Sequence, residues 1–153
     1  MNILHIDSER GWRGGQNQLQ LLLRGSPPDV THHVALDPEA VAKERFAEHA
    51  RLHPMTMRGR PRLRTLMHLR RLILDHNIDV IDAQSGKAHT LALAAALGSG
   101  VGLVVHRRVD YQPSPSWMSR RKYLSARIDR YVAISEAIAG VLRDYGVPGE
   151  RVS

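Results

Sequence analysis

The chain has 153 residues, the size of one domain, and a domain of this length buries roughly 68–70% of the surface its unfolded chain exposes. It contains no cysteine, which excludes a disulfide framework and thiolate metal sites, and no segment approaches the ~20 apolar residues that span a bilayer. Lys and Arg number 22 against 15 Asp and Glu, a formal charge of +7 with a pI near 10.5, so the surface suits phosphorylated ligands, an anionic membrane or nucleic acid. With only 2 Trp, 4 Tyr and 1 Phe, the stacking platforms of single-stranded nucleic-acid binders are thin, and nucleic acid is not an expected partner. The amino terminus lacks the basic flank and apolar run of a secretory leader, so cytoplasm is the expected compartment.

The first 24 residues, MNILHIDSERGWRGGQNQLQLLLR, read as a strand over Asn2 to Ile6, a loop carrying Gly11, Gly14 and Gly15, and a helix with Leu19, Leu22 and Leu23 at helical spacing. Glycine allows positive φ and close backbone approach, so the amides of Gly14, Gly15 and Gln16 are candidate donors to a phosphate. The unpaired amides and the helix dipole would favour that anion by about 0.3–1 kcal/mol. The same glycines also suit an ordinary strand-to-helix turn. Neither G-x-G-x-x-G nor a Walker loop is present: Gly86-Lys87 has Ile81 where the first Walker glycine belongs and Ala88 where a hydroxyl is needed. Kinase and ATPase chemistry lose their main support.

Further strands are expected at His33 to Leu36, weakly at Met55 to Met57, and at Val80 to Ala83, Gly102 to His106 and Tyr131 to Ile134. Several are almost wholly apolar, as in a sheet covered by helices on both faces. The fold class is therefore α/β, a Rossmann-like, doubly wound, mainly parallel sheet. Pro61 opens a helix with Leu66, Leu69, Leu72 and Ile73 inward, ending near His76. A third helix spans Ala88 to Leu97, stopped by Gly98, and Ser116 caps a fourth carrying Leu124 and Ile128. Ser135 caps the last, lined by Ile138, Val141, Leu142 and Tyr145 and stopped by Gly146 and Pro148. Val147 to Ser153 then begin another strand. In such a sheet, Asp7 to Gly15, Gln84 to His89 and His106 to Tyr111 gather at the carboxyl ends of the strands.

Nine histidines raise the question of a metal. His49 and His53 have helical i, i+4 spacing, but Pro54 follows and no H-E-x-x-H pattern exists, so no metal site is expected. His5 reads as a core residue within the first strand. The run Arg58 to Arg71 is basic and apolar together, with Arg60, Arg64 and Arg71 on one side near Met67. It reads as a solvated charged face or as a surface for anionic headgroups.

The segments HIDSERGWRGGQ, IDAQSGKAHTLALAAA, LVVHRRVD and RYVAISEAIAGVLRDYGVPGERV together resemble the amino-terminal domain of a family 4 retaining glycosyltransferase of the GT-B type. The resemblance runs the length of the chain, so residues 1–153 are expected to be one Rossmann-like amino-terminal domain. It implies a carboxyl-terminal donor-binding domain, with an E-x7-E pattern, that this chain does not contain. It further implies a hexosyltransferase-type enzyme moving a sugar from a nucleoside-diphosphate donor to an acceptor hydroxyl with retention. The acceptor would be a glycolipid or cell-envelope glycan, with the protein in the cytoplasm or peripheral on the inner face of the membrane, and this half alone inactive.

By the same resemblance, Gly14, Gly15 and Gln16 form the loop near the donor diphosphate or the acceptor, and His106 lies near the transferred sugar. No metal or other cofactor is implied. Lys87 and His89 open the helix on the rim as candidate acceptor contacts. Arg107 and Arg108 stand where many members have other residues, and would meet an acceptor phosphate or carboxylate through charge-assisted bonds. The alternatives are a non-catalytic basic α/β module for anionic membrane or nucleic acid, and a nucleotide-sugar epimerase of the same fold.

Overall fold

The computed structural model describes residues 1–57 and 63–153. Six strands, β1 (Asn2–Asp7), β2 (Thr31–Leu36), β3 (Arg51–Pro54), β4 (Val80–Ala83), β5 (Gly102–Arg107) and β6 (Arg130–Ala133), form one sheet in the order β3-β2-β1-β4-β5-β6. Every neighbouring pair is parallel. The strand order reverses between β1 and β4, where the chain runs first to one edge and then to the other. Loops leaving the carboxyl ends of these two strands therefore diverge and open a crevice.

Among the described residues the helices are α1 (Gly14–Gly25), α2 (Lys43–Ala47), α3 (Leu63–Asp75), α4 (Gly86–Ala96), α5 (Trp117–Tyr123) and α6 (Glu136–Asp144). Side chains alternate across a strand, and β2 shows the division this produces. Val34 and Leu36 join Leu19 and Leu23 of α1 and Phe46 of α2 in one cluster. Ala35, between them, joins a larger cluster with Leu4, Ile6, Ile81 and Leu103, roofed by Leu69, Leu72 and Ile73 of α3 and Leu91 of α4. Continuous burial holds for the later part of β1 and for β2 and β4. In β5 burial alternates instead: Leu103, Val105 and Arg107 are buried, while Gly102, Val104 and His106 are half-buried on a more open face.

The helix signals act as expected at Ser116 and Ser135, whose hydroxyls accept from the amides of Ser119 and Ile138. Gly98 and Gly146 end their helices with φ of +76° and +104°, conformations that favour glycine. Ser85 also caps α4, accepting from the Ala88 amide at 3.2 Å and meeting the Ser8 hydroxyl at 2.7 Å, so α4 starts two residues before Ala88. Pro61, and Arg58 and Arg60 of the basic run, lie outside the described residues. From Leu63 onward α3 places Leu69, Leu72 and Ile73 inward, with Arg64, Met67 and Arg71 exposed.

Four expectations are corrected. The third strand is Arg51–Pro54 rather than Met55 to Met57: the two methionines are buried in the larger core cluster, and their apolarity reports burial without pairing. His53 thus lies on an edge strand, and His49 and His53 share no helix. The helix after Ser116 ends at Tyr123, with Leu124 as its C-cap and Ile128 beyond it; the Arg127 amide turns to Ser125 Oγ at 3.3 Å, and the Tyr123 carbonyl accepts from the buried Tyr131 hydroxyl. Beyond α6 comes a 3-10 turn, Gly149–Arg151, and then a single parallel bridge from Val152 to Tyr131.

Candidate functional site

A cleft of about 740 Å³ opens at the reversal of strand order. The loops after β1, β4 and β5 line it together, with Gly14, Gly15 and Gln16 on one side, Gln84, Ser85 and Gly86 at the centre, and His106 to Val109 opposite. Arg13, Arg107 and Arg108 face it against one lining carboxylate, Glu9, so the cleft is electropositive.

The β1–α1 loop is held by Gln16. Its buried side chain donates to both oxygens of Asp7, at 3.2 and 3.0 Å, and accepts from the Arg13 amide at 3.2 Å. Burial pushes the Asp7 carboxyl above its ordinary range, and the bond from Gln16 partly offsets this. With its side chain committed, Gln16 can offer a ligand only its backbone amide. Among the described residues no protein acceptor falls on the amides of Gly14, Gly15 or Gln16, and the first intrahelical bond is Asn17 to Arg13 at 3.1 Å. None of the three loop glycines has positive φ, which corrects that part of the sequence argument. At Gly15 the missing Cβ matters instead, since one there would lie 3.2 Å from Arg108 Nη1, whereas one at Gly11 or Gly14 meets nothing within 4 Å.

His106 is held from below by a buried polar row that sequence reading missed. Its Nε2 lies 2.9 Å from Asp82 Oδ1, an electrostatic contact rather than an aligned hydrogen bond. Asp82 Oδ2 meets His5 Nδ1 at 2.7 Å, and His5 Nε2 meets His32 Nδ1 at 2.9 Å. Burial pushes the Asp82 carboxyl up, but His106 and His5 more than reverse this and hold it well below the ordinary range. Among the described residues, His106 Nδ1 has no protein partner. The signal was present in the sequence: one carboxylate in the otherwise apolar strand Val-Ile-Asp-Ala must be paired if that strand is buried. His5 is a core residue, as expected, and also a link in this row.

Gln84 continues the row toward the cleft. Its amide nitrogen donates to Asp82 Oδ2, and its two oxygens accept from the Arg108 guanidinium. Arg108 also donates to Gln18 Oε1 at 2.9 Å, so one arginine ties α1 to the end of β4 across the cleft floor.

The remaining sequence candidates separate. Arg107 is buried; it donates to the Tyr123 hydroxyl at 2.9 Å and to the Tyr111 carbonyl, with its guanidinium 5.1 Å from the Tyr111 ring centre. Its charge pins the β5–α5 loop before any ligand arrives. His89 borders the cleft but is only 1% exposed, with Tyr123 and Tyr131 edge-on at 5.1 and 5.9 Å. Burial, aided by Lys122 and Arg107, pulls its pKa down to about 3, so it is a neutral wall. Lys87 is exposed and does not line the cleft.

An electropositive crevice between diverging loops at the reversal of strand order is where a Rossmann-like sheet takes its ligands. The sequence profile described as Glycosyltransferase Family 4 matches residues 14–153, and the chain belongs to that family. No curated protein matches it significantly. Among solved structures it is similar to HepE from Anabaena in complex with UDP and glucose, at 20% identity and a TM-score of 0.75, covering 100% of this chain and 43% of that one. A glycosyltransferase from Rickettsia africae matches at 14% identity and a TM-score of 0.81, covering 99% and 41%. The UDP-GlcNAc 2-epimerase of Methanocaldococcus jannaschii matches at 14% and 0.61, covering 100% and 45%. The chain thus spans less than half the length of these proteins. The likeness is one of fold, half of a GT-B architecture.

Proposed function

We propose that this chain is the acceptor-side, amino-terminal domain of a hexosyltransferase-type enzyme that moves a sugar from a nucleoside-diphosphate donor to an acceptor hydroxyl with retention. One observation carries the reading: the unbonded amides at the start of α1 open into an arginine-lined cleft that also contains His106. Negative charge builds on the leaving diphosphate during transfer. Fixed amides of Gly14, Gly15 and Gln16 would stabilise it more in the transition state than in the ground state, which accelerates the reaction.

His106, positioned by Asp82, would hydrogen-bond the transferred sugar or orient the acceptor hydroxyl through Nδ1. Arg108 is the best placed of the acceptor candidates, since its guanidinium reaches the cleft floor. Arg107 and His89 would act by shaping the wall, and Lys87 only at its outer edge. The acceptor class that fits these arginines is a phosphorylated or acidic glycan or glycolipid, consistent with a cytoplasmic or membrane-peripheral enzyme. The chemistry uses no metal or other cofactor, and the second domain would supply most donor contacts, leaving this half inactive alone.

Binding of UDP and UDP-glucose is the first test, with sugar transfer assayed in the protein extended by its donor-binding domain. Gly14→Ala should leave the fold intact, because its Cβ meets nothing within 4 Å, yet weaken diphosphate binding. His106→Ala should cut transfer. Full transfer in a Gly14→Ala, Gly15→Ala, His106→Ala enzyme would refute the site. An epimerase, favoured by the likeness to the Methanocaldococcus enzyme, would convert the nucleotide-sugar without an acceptor. A basic adaptor would bind anionic vesicles or nucleic acid with steep salt dependence and turn nothing over.

A further inference from the structure

Away from the cleft, three histidines distant in sequence converge. His33 is on β2, His53 on β3, and His76 follows the last residue of α3. The register pairs His33 with Arg51 and Ala35 with His53, so His33 and His53 project from the same face of neighbouring strands. His76 reaches them because α3 crosses that face and ends there. Asn77, at φ +47°, turns the chain immediately afterwards, a left-handed position that asparagine tolerates.

The rings of His33 and His53 are nearly parallel, 13° apart with centres 5.2 Å apart, and the His76 ring centre lies 4.5 Å from His33 and 5.1 Å from His53. One nitrogen from each ring falls within 4.8 Å of the other two, and His33 Nδ1 lies 3.0 Å from His53 Nε2. Nitrogens bound at 2.0–2.1 Å to a tetrahedral ion sit roughly 3.3 Å apart, so small ring movements would seat a cation. None of the three lines the cleft.

We propose that His33, His53 and His76 form a binding site for a divalent transition cation, zinc by preference, that fastens β2, β3 and the end of α3 together. Three imidazole nitrogens suit zinc, nickel or copper and disfavour magnesium or calcium. The fourth position is left to water. Among the described residues Arg51, His32 and His68 are the other charged or titratable groups close to the cluster, and Arg51 opposes a cation, so the site depends on all three donors. Such a site is independent of sugar transfer, and either idea can fail alone.

The test is titration of the metal-stripped chain with Zn2+, and with Co2+ as a visible probe. One equivalent should bind, and Zn2+ held at about 100 times its Kd should raise Tm by roughly 5–10 °C. His53→Ala and His76→Gln should each abolish binding, while His49→Ala retains it. Failure to bind one equivalent, or binding that persists in either variant, overturns the proposal. Should both variants unfold, the cobalt spectrum of the intact chain decides: intense tetrahedral bands support the site, and weak octahedral bands refute it.

Discussion

Replacing Asp82 by asparagine keeps the shape of the side chain and removes its charge. Asp82 is buried and meets His5 Nδ1 at 2.7 Å, His106 Nε2 at 2.9 Å and the amide of Gln84. A hydrogen bond to a buried carboxylate contributes about 1.5–3 kcal/mol, and asparagine keeps one acceptor oxygen, so losing the charge should cost about 2–3 kcal/mol. In a chain of this size each kcal/mol moves Tm by about 2–4 °C, so Tm should fall by roughly 5–10 °C at pH 7.

The pH dependence follows from the direction of the shift. The folded-state pKa of Asp82 lies below its unfolded value, so its contribution is present above the ordinary carboxylate pKa of about 3.9 and is lost as pH falls through the lower folded value. Urea midpoints of the two proteins should therefore differ fully at pH 5–7 and converge in strong acid. Equal midpoints at neutral pH, or a gap that persists unchanged in acid, would refute the account of this row.

His89 supplies an acid-sensitivity prediction. Its folded pKa of about 3 lies below the unfolded value near 6.5, so its stability is complete above pH 6.5 and is lost as pH falls toward 3. The slope from this group is about 1.4 kcal/mol per pH unit, and His89→Leu should flatten the stability profile between pH 6 and 4. An unchanged slope would place the sensitivity elsewhere. Ser85→Ala removes the α4 cap and the Ser8 contact and should cost about 1 kcal/mol, read as a fall in Tm of about 2–4 °C by circular dichroism. No loss would mean that water replaces the hydroxyl there without penalty.

Much of the architecture could be read directly from residue order. Apolar runs marked every strand but β3, serines marked helix starts at Ser116 and Ser135, and Gly98 and Gly146 marked ends, because these signals act within a turn or two of chain, while the short α2 carried no such signal. The loops after β1, β4 and β5 could be placed on one rim because a parallel α/β sheet puts alternate connections there. Pairing between distant polar groups was beyond such reading. Asp82 finds His5 and His106 only through the registers of β1 with β4 and of β4 with β5. His33, His53 and His76 meet only because an edge strand and a helix end arrive over the same face of β2.

Local sequence determined the alternation of elements, their caps and the apolar faces that bury them, since each depends on neighbours a few residues away. Tertiary structure alone decided that Arg107 is buried in the cleft wall while Arg108 reaches its floor, and that a carboxylate within an apolar strand is held between two imidazoles. Those outcomes depend on strand order and register, which bring together side chains separated by 16 to 90 residues.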